Sequence, residues 1–306
     1  MTDTLRYNNQ TEYGKDFDRK AKNAKRNKII QSVLINFGIF LVALLVVFPF
    51  YVMLTTSVKS FGEAMYFTWF PSEVSLEAYE FILVPNEQST ALDLNILRSL
   101  RNTLIAVVPG ATVGVIVSAA SGYIFAKFEF TGKNLMFSAL LFSMMIPGAV
   151  MMVSMYLIYA KINWVDTLLP LIVPQLFGSA SLVFAFRQYM YGIPSELIEA
   201  ARIDGANQFT AFVKIVFPLA TPVMIAHWLL TFMAGYNQYT EPLLYIFDPK
   251  WETLQLTLAR YSQTIGTTNT PVVMASATIS LIPMIVLYAC SQKFFAQGIM
   301  TGALKG

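Results

Sequence analysis

Charged residues are scarce in this sequence. Only 13% of its 306 residues are Asp, Glu, Lys or Arg, about half of the roughly 25% found in an ordinary soluble domain. Hydrophobic residues make up 56% of the chain and are concentrated in long runs. So few charges cannot cover a soluble globule of this size. The composition therefore excludes a cytosolic enzyme and indicates one polytopic membrane domain.

Cysteine and histidine each occur once. Cys290 alone cannot form an internal disulfide, and His227 alone cannot supply a structural zinc cluster. The catalytic patterns G-x-S-x-G and H-E-x-x-H are also absent. We predict that the chain is not an enzyme and contains no metal site.

A phosphate-binding loop is missing as well. That loop needs G-x-x-x-x-G-K-[S/T], so that backbone amides and a lysine surround the phosphates. The pair Gly132 and Lys133 has Lys127 where the first glycine should stand and Asn134 where the hydroxyl should stand. The chain therefore lacks its own ATPase, and we expect no cofactor within it.

Six apolar runs are long enough to cross a membrane, since about 20 helical residues span the roughly 30 Å hydrocarbon layer. They lie near residues 29–54, 102–125, 135–160, 165–186, 218–240 and 272–291. The first run is too long for the core of a cleaved signal peptide, which is about 7–15 residues. The sequence predicts an all-α polytopic fold with six transmembrane helices in 29–306, preceded by a basic segment, 1–28.

Basic residues predict the orientation of these spans. Eight of the 21 Lys and Arg residues precede the first span. If that end is cytoplasmic, 15 basic residues lie inside and 5 outside, with Arg101 at a boundary. This bias follows the positive-inside rule. It predicts a multi-pass protein of the cell membrane with both termini cytoplasmic, external segments 57–99 and 241–271, a cytoplasmic segment 188–217 and a cytoplasmic tail 292–306.

The first external segment mixes acidic residues with aromatic residues such as Tyr66, Trp69 and Phe70. Two interpretations stay open, an amphipathic cover on the membrane and a docking surface for an external protein. The second external segment reads as a flexible loop.

The predicted spans contain no Asp, Glu, Lys or Arg except Asp166, which lies at the edge of one span. Carriers driven by protons or sodium usually keep such groups at membrane depth, so their absence argues against coupling to either ion and for an energy source elsewhere. His227 has no acidic neighbours and is predicted to be a packing residue, not a proton relay. The polar run Tyr236, Asn237 and Gln238 is predicted to face a cavity or another subunit.

The segment 188–217 contains a short helix of about ten residues. Pro194 and Ser195 mark its start, with Ser195 as N-cap, and Gly205 is predicted to end it in the left-handed conformation. Such a helix is too short to cross a membrane. Periodicity leaves open a surface helix on the bilayer and a rigid knob that fits a partner's groove.

The residues of this helix favour the second interpretation. The stretch EAARIDG at 199–205, followed by Ile215 and Pro218, resembles the EAA motif of binding-protein-dependent ABC transporter permeases, with Phe217 where leucine is usual. The sequences IPGAVMMVSMYLIYAKINWVDT, RQYMYGIPSELIEAARIDGAN and QGIMTGALKG resemble the sugar-uptake, maltose-type branch. The resemblance covers residues 29–306.

The resemblance implies that this helix docks into a cytoplasmic ATPase subunit. The residues that match or lie within the motif are Glu199, Ala200, Ala201, Asp204 and Gly205. It also implies that the tail residues Thr301, Gly302 and Lys305 reach the ATPase. The implied partners are a second homologous permease, two ATP-binding subunits that hold ATP and Mg, and an extracytoplasmic solute-binding protein.

The sequence thus indicates a permease subunit of an ATP-driven sugar importer, and the resemblance implies oligosaccharides as its substrates. A permease for polyols or sugar phosphates is the alternative within transport, and a non-transporting membrane scaffold is the alternative outside it. No nucleic-acid partner is expected.

Overall fold

The computed structural model describes residues 2–66, 68–84, 94–265 and 269–303, and their side chains except those of 2–24, 26, 65 and 293–303. The chain divides into two compact units, Met1–Thr55 and Thr56–Gly306. Almost all of helix α1 (Thr2–Ser57) belongs to the first unit. Its part Asn27–Ser57 is long and apolar enough to cross a membrane.

The described part of the second unit is built from helices. In chain order they are α2 (Glu77–Leu83), α3 (Ile96–Lys127), α4 (Lys133–Met144), α5 (Gly148–Lys161), α6 (Leu169–Leu176), α7 (Ala180–Tyr191), α8 (Ser195–Ile203), α9 (Gln208–Ala211), α10 (Phe217–Tyr236), α11 (Thr240–Tyr245), α12 (Leu254–Thr264) and α13 (Thr270–Ala303). The described residues contain no strand. The all-α polytopic fold is confirmed.

Five stretches of the described chain qualify as spans, namely Asn27–Ser57, Ile96–Lys127, Leu169–Tyr191, Gln208–Tyr236 and Thr270–Gln292. Helices α4 and α5 make a sixth if the pair is one span; they meet at 97° within the region where one span was predicted, 135–160. Pro147 explains the break, because it lacks an N–H group and disfavours helical geometry at Ile146. Hydropathy missed the bend because the residues at the break are apolar.

The fifth span begins ten residues earlier than predicted. Asn207 caps α9, where its side-chain oxygen accepts a hydrogen bond from the Thr210 amide at 2.8 Å. A π-helical turn, Phe212–Val216, then joins α9 to α10. The non-spanning segment predicted as 188–217 is correspondingly shorter, since α7 also continues to Tyr191.

Helix α3 is the centre of the second unit, and small residues let its neighbours approach closely. A Cβ atom added to Gly114 would lie 2.3 Å from the carbonyl oxygen of Gln175. A Cβ atom added to Gly122 would lie 2.7 Å from the Cβ atom of Phe186. Helices α6 and α7 therefore pack on α3 almost backbone to backbone, which is typical of transmembrane helix pairs.

Two hydrophobic clusters lie along α3. The first surrounds its amino-terminal half, with Ala106, Tyr236 and Leu254 among its buried members. The second surrounds its carboxyl-terminal half, where Tyr123 and Phe186 are buried with Ile198 of α8. His227 packs its ring against Phe186, with centroids 5.1 Å apart. This contact agrees with a packing role for the histidine.

Candidate coupling surface and membrane cavity

Helix α8 begins one residue earlier than predicted. Pro194 occupies the N-cap position, and Ser195 is the first helical residue. The predicted N-cap role of Ser195 is therefore wrong. Its hydroxyl instead lies 3.3 Å from the ammonium group of Lys127, which donates to it. The same ammonium donates to the carbonyl oxygen of Ile193 at 2.6 Å.

The end of α8 confirms the predicted glycine stop. Gly205 has φ +87°, a conformation that costs other residues roughly 1–2 kcal/mol. Its amide donates to Arg202 at 3.1 Å, and the amide of Ala206 donates to Ala201 at 2.9 Å. These two bonds form a Schellman motif, which satisfies the last carbonyl groups of the helix.

Helix α8 presents one anchored face and one exposed face. Ile198 is 7% exposed and lies in the second hydrophobic cluster, while Ala201 is half-buried. Glu199 and Ala200 are exposed, and Ile203, one turn beyond them, is 87% exposed. An isoleucine that leaves most of its surface uncovered is costly in water, so this face is suited to a partner surface.

Asp204 and Arg202 are also exposed on α8. The structure thus brings Glu199, Ala200, Asp204 and Gly205 to one short accessible segment, with Ala201 turned partly inward. Their role in ATPase coupling stays a prediction. Thr301 and Gly302 lie in the last turn of α13, where side chains are not described, and Lys305 lies outside the described residues.

A cavity of about 610 Å³ lies between α3, α5, α6, α7, α10 and α11. Its polar lining residues are Tyr159, Gln175, Ser179, Ser181, Thr231, Gln238, Glu241 and Tyr245, and its apolar lining includes Met151, Met152 and Met155. The volume lies within the roughly 300–1,000 Å³ of small-molecule sites.

The predicted cavity residues occupy different environments. Gln238 lines the cavity. Tyr236 is 1% exposed in the core, and its hydroxyl donates to the carbonyl oxygen of Ser280 at 2.8 Å. Asn237 is exposed, and its side-chain oxygen accepts a hydrogen bond from Gln255 at 3.4 Å. Neither Tyr236 nor Asn237 is among the lining residues, and the transport role of all three stays a prediction.

Glu241 is the acidic lining residue that sequence reasoning missed. It is half-buried at the start of α11, within a segment predicted to be a flexible external loop. Burial raises the pKa of Tyr245, and the negative charge of Glu241 raises it further. The signal available in the sequence was an acidic residue three positions after the polar run at the end of the fifth span.

The amino-terminal end of α3, opposite the end that carries Lys127, holds a buried polar network. Asn102 donates to the carbonyl oxygens of Lys250 and Glu252 at 2.9 and 3.0 Å, and Thr103 accepts from the Leu254 amide at 2.8 Å. The Glu252 side chain is 6% exposed and forms an ion pair with Arg260. The segment 250–257 is therefore pinned to α3 and is not the flexible loop that the sequence suggested.

The first external segment is partly anchored too. Ala78 and Ile82 of α2 are buried in the first hydrophobic cluster. Tyr66, Trp69 and Phe70 nevertheless expose more than half of their surface. These exposed aromatic side chains fit both interpretations of the segment, the membrane cover and the docking surface.

The sequence is similar to known membrane components of transport systems. The model of the family "Binding-protein-dependent transport system inner membrane component" matches residues 110–301. The melibiose/raffinose/stachyose import permease protein of Bacillus subtilis is 30% identical, over 84% of this chain and 91% of that protein. The sn-glycerol-3-phosphate transport system permease protein of Escherichia coli O1:K1 is 34% identical, over 66% of this chain and 72% of that protein.

A solved structure shares the fold. It is a bacterial ABC transporter involved in the import of the acidic polysaccharide alginate, and one of its chains aligns with a TM-score of 0.73 and 24% identity. The alignment covers 87% of this chain and 95% of that chain. By its sequence match, this multi-pass membrane protein belongs to the family of binding-protein-dependent transport system inner membrane components.

Proposed function

We propose that this chain is a permease subunit of an ATP-driven sugar importer. It pairs with a second, homologous permease, two cytoplasmic ATP-binding subunits and an extracytoplasmic solute-binding protein. The observation that carries this proposal is the exposed face of α8, where Glu199, Ala200 and Ile203 lie on a short helix anchored by Ile198.

Rigidity supports a coupling role for this helix. Lys127 attaches its start to the end of α3, and the Gly205 stop satisfies its last carbonyl groups. A segment held in this way transmits a rigid-body displacement that a flexible loop would absorb. Closure of the ATP-binding subunits would then rock the two permeases and alternate access to the path.

The proposal includes an orientation. The amino terminus, α8 and the carboxyl-terminal tail lie on the cytoplasmic side, as the distribution of basic residues favours. ATP and Mg²⁺ are held by the partner subunits, since the sequence contains no phosphate-binding loop.

The cavity supports a carbohydrate substrate. Aromatic rings pack on the apolar faces of sugars, while amide and hydroxyl groups bond to sugar hydroxyls. Gln175 and Gln238 supply half-buried amides, and Tyr159 and Tyr245, which are 5% and 4% exposed with ring centroids 5.1 Å apart, form part of the wall. The import of melibiose, raffinose and stachyose by a relative supports the same class.

A second candidate is a sugar phosphate or a polyol, because another relative is a permease for sn-glycerol-3-phosphate. Phosphate groups are usually bound by arginine, lysine or backbone amides. The described lining of the cavity contains no lysine or arginine, so we rank this candidate second.

Reconstitution tests the proposal. The chain should co-purify with a second permease and ATP-binding subunits, and liposomes holding the complete assembly with its solute-binding protein should accumulate sugar when ATP is supplied. The chain alone should neither hydrolyse ATP nor move solute. Sugar flux through liposomes that contain only this chain, without ATP, would refute the proposal. A complex that retains no ATP-binding subunit would favour the scaffold alternative.

A further inference from the structure

The cavity of the second unit has one ionisable acid in its lining and no described basic residue. Glu241 is half-buried there, near the phenol of Tyr245, whose pKa it helps to raise. Gln175 and Gln238 are the other polar side chains with a carbonyl oxygen at this site. Among the described lining residues, then, nothing offsets the negative charge of Glu241.

The surroundings strengthen that charge. The methionines Met151, Met152 and Met155 line the same cavity, and their thioether sulfurs are only weak hydrogen-bond acceptors for water. A charge in a partly desolvated cavity acts over a longer range than one on a wet surface. An anionic solute that entered would therefore be repelled, while sugar hydroxyls could donate to the carboxylate.

The neighbouring aromatic rings indicate where such a sugar would lie. Tyr159 stacks on Trp164 with centroids 5.8 Å apart and meets Tyr245 edge to face. These contacts fix the rings, so the wall beside Glu241 is rigid. Tyr159 and Tyr245 are only 5% and 4% exposed, so this wall positions a sugar against the carboxylate of Glu241 and the half-buried amides of Gln175 and Gln238.

We propose that Glu241 is a specificity-determining residue, which binds hydroxyls of neutral sugars and excludes sugars that carry carboxylate or phosphate groups. This inference rests on the proposed transport function and narrows its substrate class. It separates this chain from the glycerol-phosphate permease and the alginate importer, whose substrates are anionic.

Thiol protection tests this selectivity without depending on the solute-binding protein. In the assembled complex, Cys290→Ser removes the native thiol and Ser181→Cys places a reporter on the cavity wall. The rate of labelling by an uncharged maleimide is measured with arabinotriose, raffinose or maltotriose, and with the same sugars oxidised to a uronic acid at one primary hydroxyl.

Neutral sugars should protect the reporter at concentrations about tenfold lower than their oxidised forms, from the repulsion of like charges. Glu241→Gln keeps the size of the side chain and should remove most of that difference. Glu241→Lys should reverse it. Glu129→Gln is the matched control. Glu129 is an exposed acid that pairs with Lys133, and neither residue lines the cavity.

Two results would overturn the inference. One is an unchanged ratio between neutral and oxidised sugars in Glu241→Gln. The other is a complex that accumulates neutral sugar with ATP while none of the sugars protects the reporter. Both are distinct from failure of the proposed function, in which the complete wild-type assembly accumulates no sugar at all.

Discussion

The two ends of α3 meet different kinds of structure. At its first turns, Asn102 and Thr103 bond to the backbone of segment 250–257, and Ser99 bonds to Thr257 at 2.6 Å. The side chains of Ser99, Asn102, Thr103 and Thr257 are all buried and take part in these hydrogen bonds. At its last turn, Lys127 holds the start of α8, whose outer face stays exposed.

The first end of α3 is therefore stabilised by contacts within the chain, whereas the exposed face of α8 is available to a partner. A buried network in which every group is satisfied rigidifies its surroundings and leaves little for another molecule to bind. An exposed apolar side chain on a capped helix gains free energy only when something covers it. Substitutions at the first end should therefore alter stability, and substitutions at the second should alter assembly or transport.

The largest effect is expected at Gly205. In Gly205→Asp the new side chain meets open space, so the added backbone strain lowers the stability of the fold by only about 1–2 kcal/mol. The end of α8, however, should change shape. We expect normal membrane insertion and a loss of sugar uptake of about tenfold or more. Glu199→Lys, a charge reversal on the same exposed surface, should act in the same direction.

Gly132 supplies a matched control for that experiment. It has φ +84° and open space around its Cβ position, but it precedes α4 and lies outside α8. Gly132→Asp should bear similar strain and keep its uptake. Full uptake and normal ATPase retention in both Gly205→Asp and Glu199→Lys would reduce α8 to an ordinary surface helix.

Glu252 tests the other end of α3. Glu252→Ala removes a buried acceptor of Thr257 and leaves Arg260 without this carboxylate. Breaking a fully buried pair costs about 3–5 kcal/mol, and we expect about 2 kcal/mol because the Arg260 side chain is 31% exposed. The thermal unfolding temperature of the purified complex should fall by several degrees.

The ion pair between Asp248 and Lys250 is the control for Glu252. Its lysine side chain is 58% exposed, and exposed pairs contribute little to stability. Asp248→Asn should leave the unfolding temperature almost unchanged. Equal shifts in the two variants would contradict the contrast between a buried network and an ordinary surface.

Lys127 should have a smaller effect that is confined to transport. Lys127→Met removes both hydrogen bonds to the start of α8 while α3 keeps its packing. We expect about a threefold fall in sugar moved per ATP hydrolysed, with the ATP-binding subunits still attached. Lys127→Arg, which keeps a cationic donor, should recover part of the loss. A change in complex stoichiometry would instead indicate an assembly role.

The smallest effect is expected from the polar run after α10. Gln238→Leu removes an amide from the cavity, whereas Asn237→Leu changes an exposed side chain outside it. Gln238→Leu should raise the KM for sugar uptake by about two- to threefold, and Asn237→Leu should change it less. Assembly of the complex should be normal in both. Unchanged kinetics in both variants would return these residues to a structural role.

Local signals made α8 predictable from sequence. Gly205 ends the helix through a backbone conformation that its own lack of a side chain permits, so no tertiary information was needed. The start was misplaced by one residue, because Ser195 uses its hydroxyl for Lys127, 68 positions away in the chain. The sequence could not reveal that choice.

Hydropathy predicted the spans but not their geometry. It joined α4 to α5 across Pro147, and it started the fifth span at Pro218 although Asn207 begins the helix. The position of Glu241 in the cavity lining results from the packing of six helices from distant parts of the chain. A periodic pattern within one segment carries no such information.

The glycine seam along α3 has a mechanical consequence. Because α3 approaches Gln175 and Phe186 so closely at Gly114 and Gly122 that an added Cβ atom would clash there, we expect these elements to move together. They behave as a single lever whose arm is the 32-residue α3, about 48 Å long. A tilt of about 5° at one end of such an arm displaces the other end by roughly 4 Å. A small rotation at α8 would therefore displace the other end of α3 by more than the length of a hydrogen bond, which is about 3 Å.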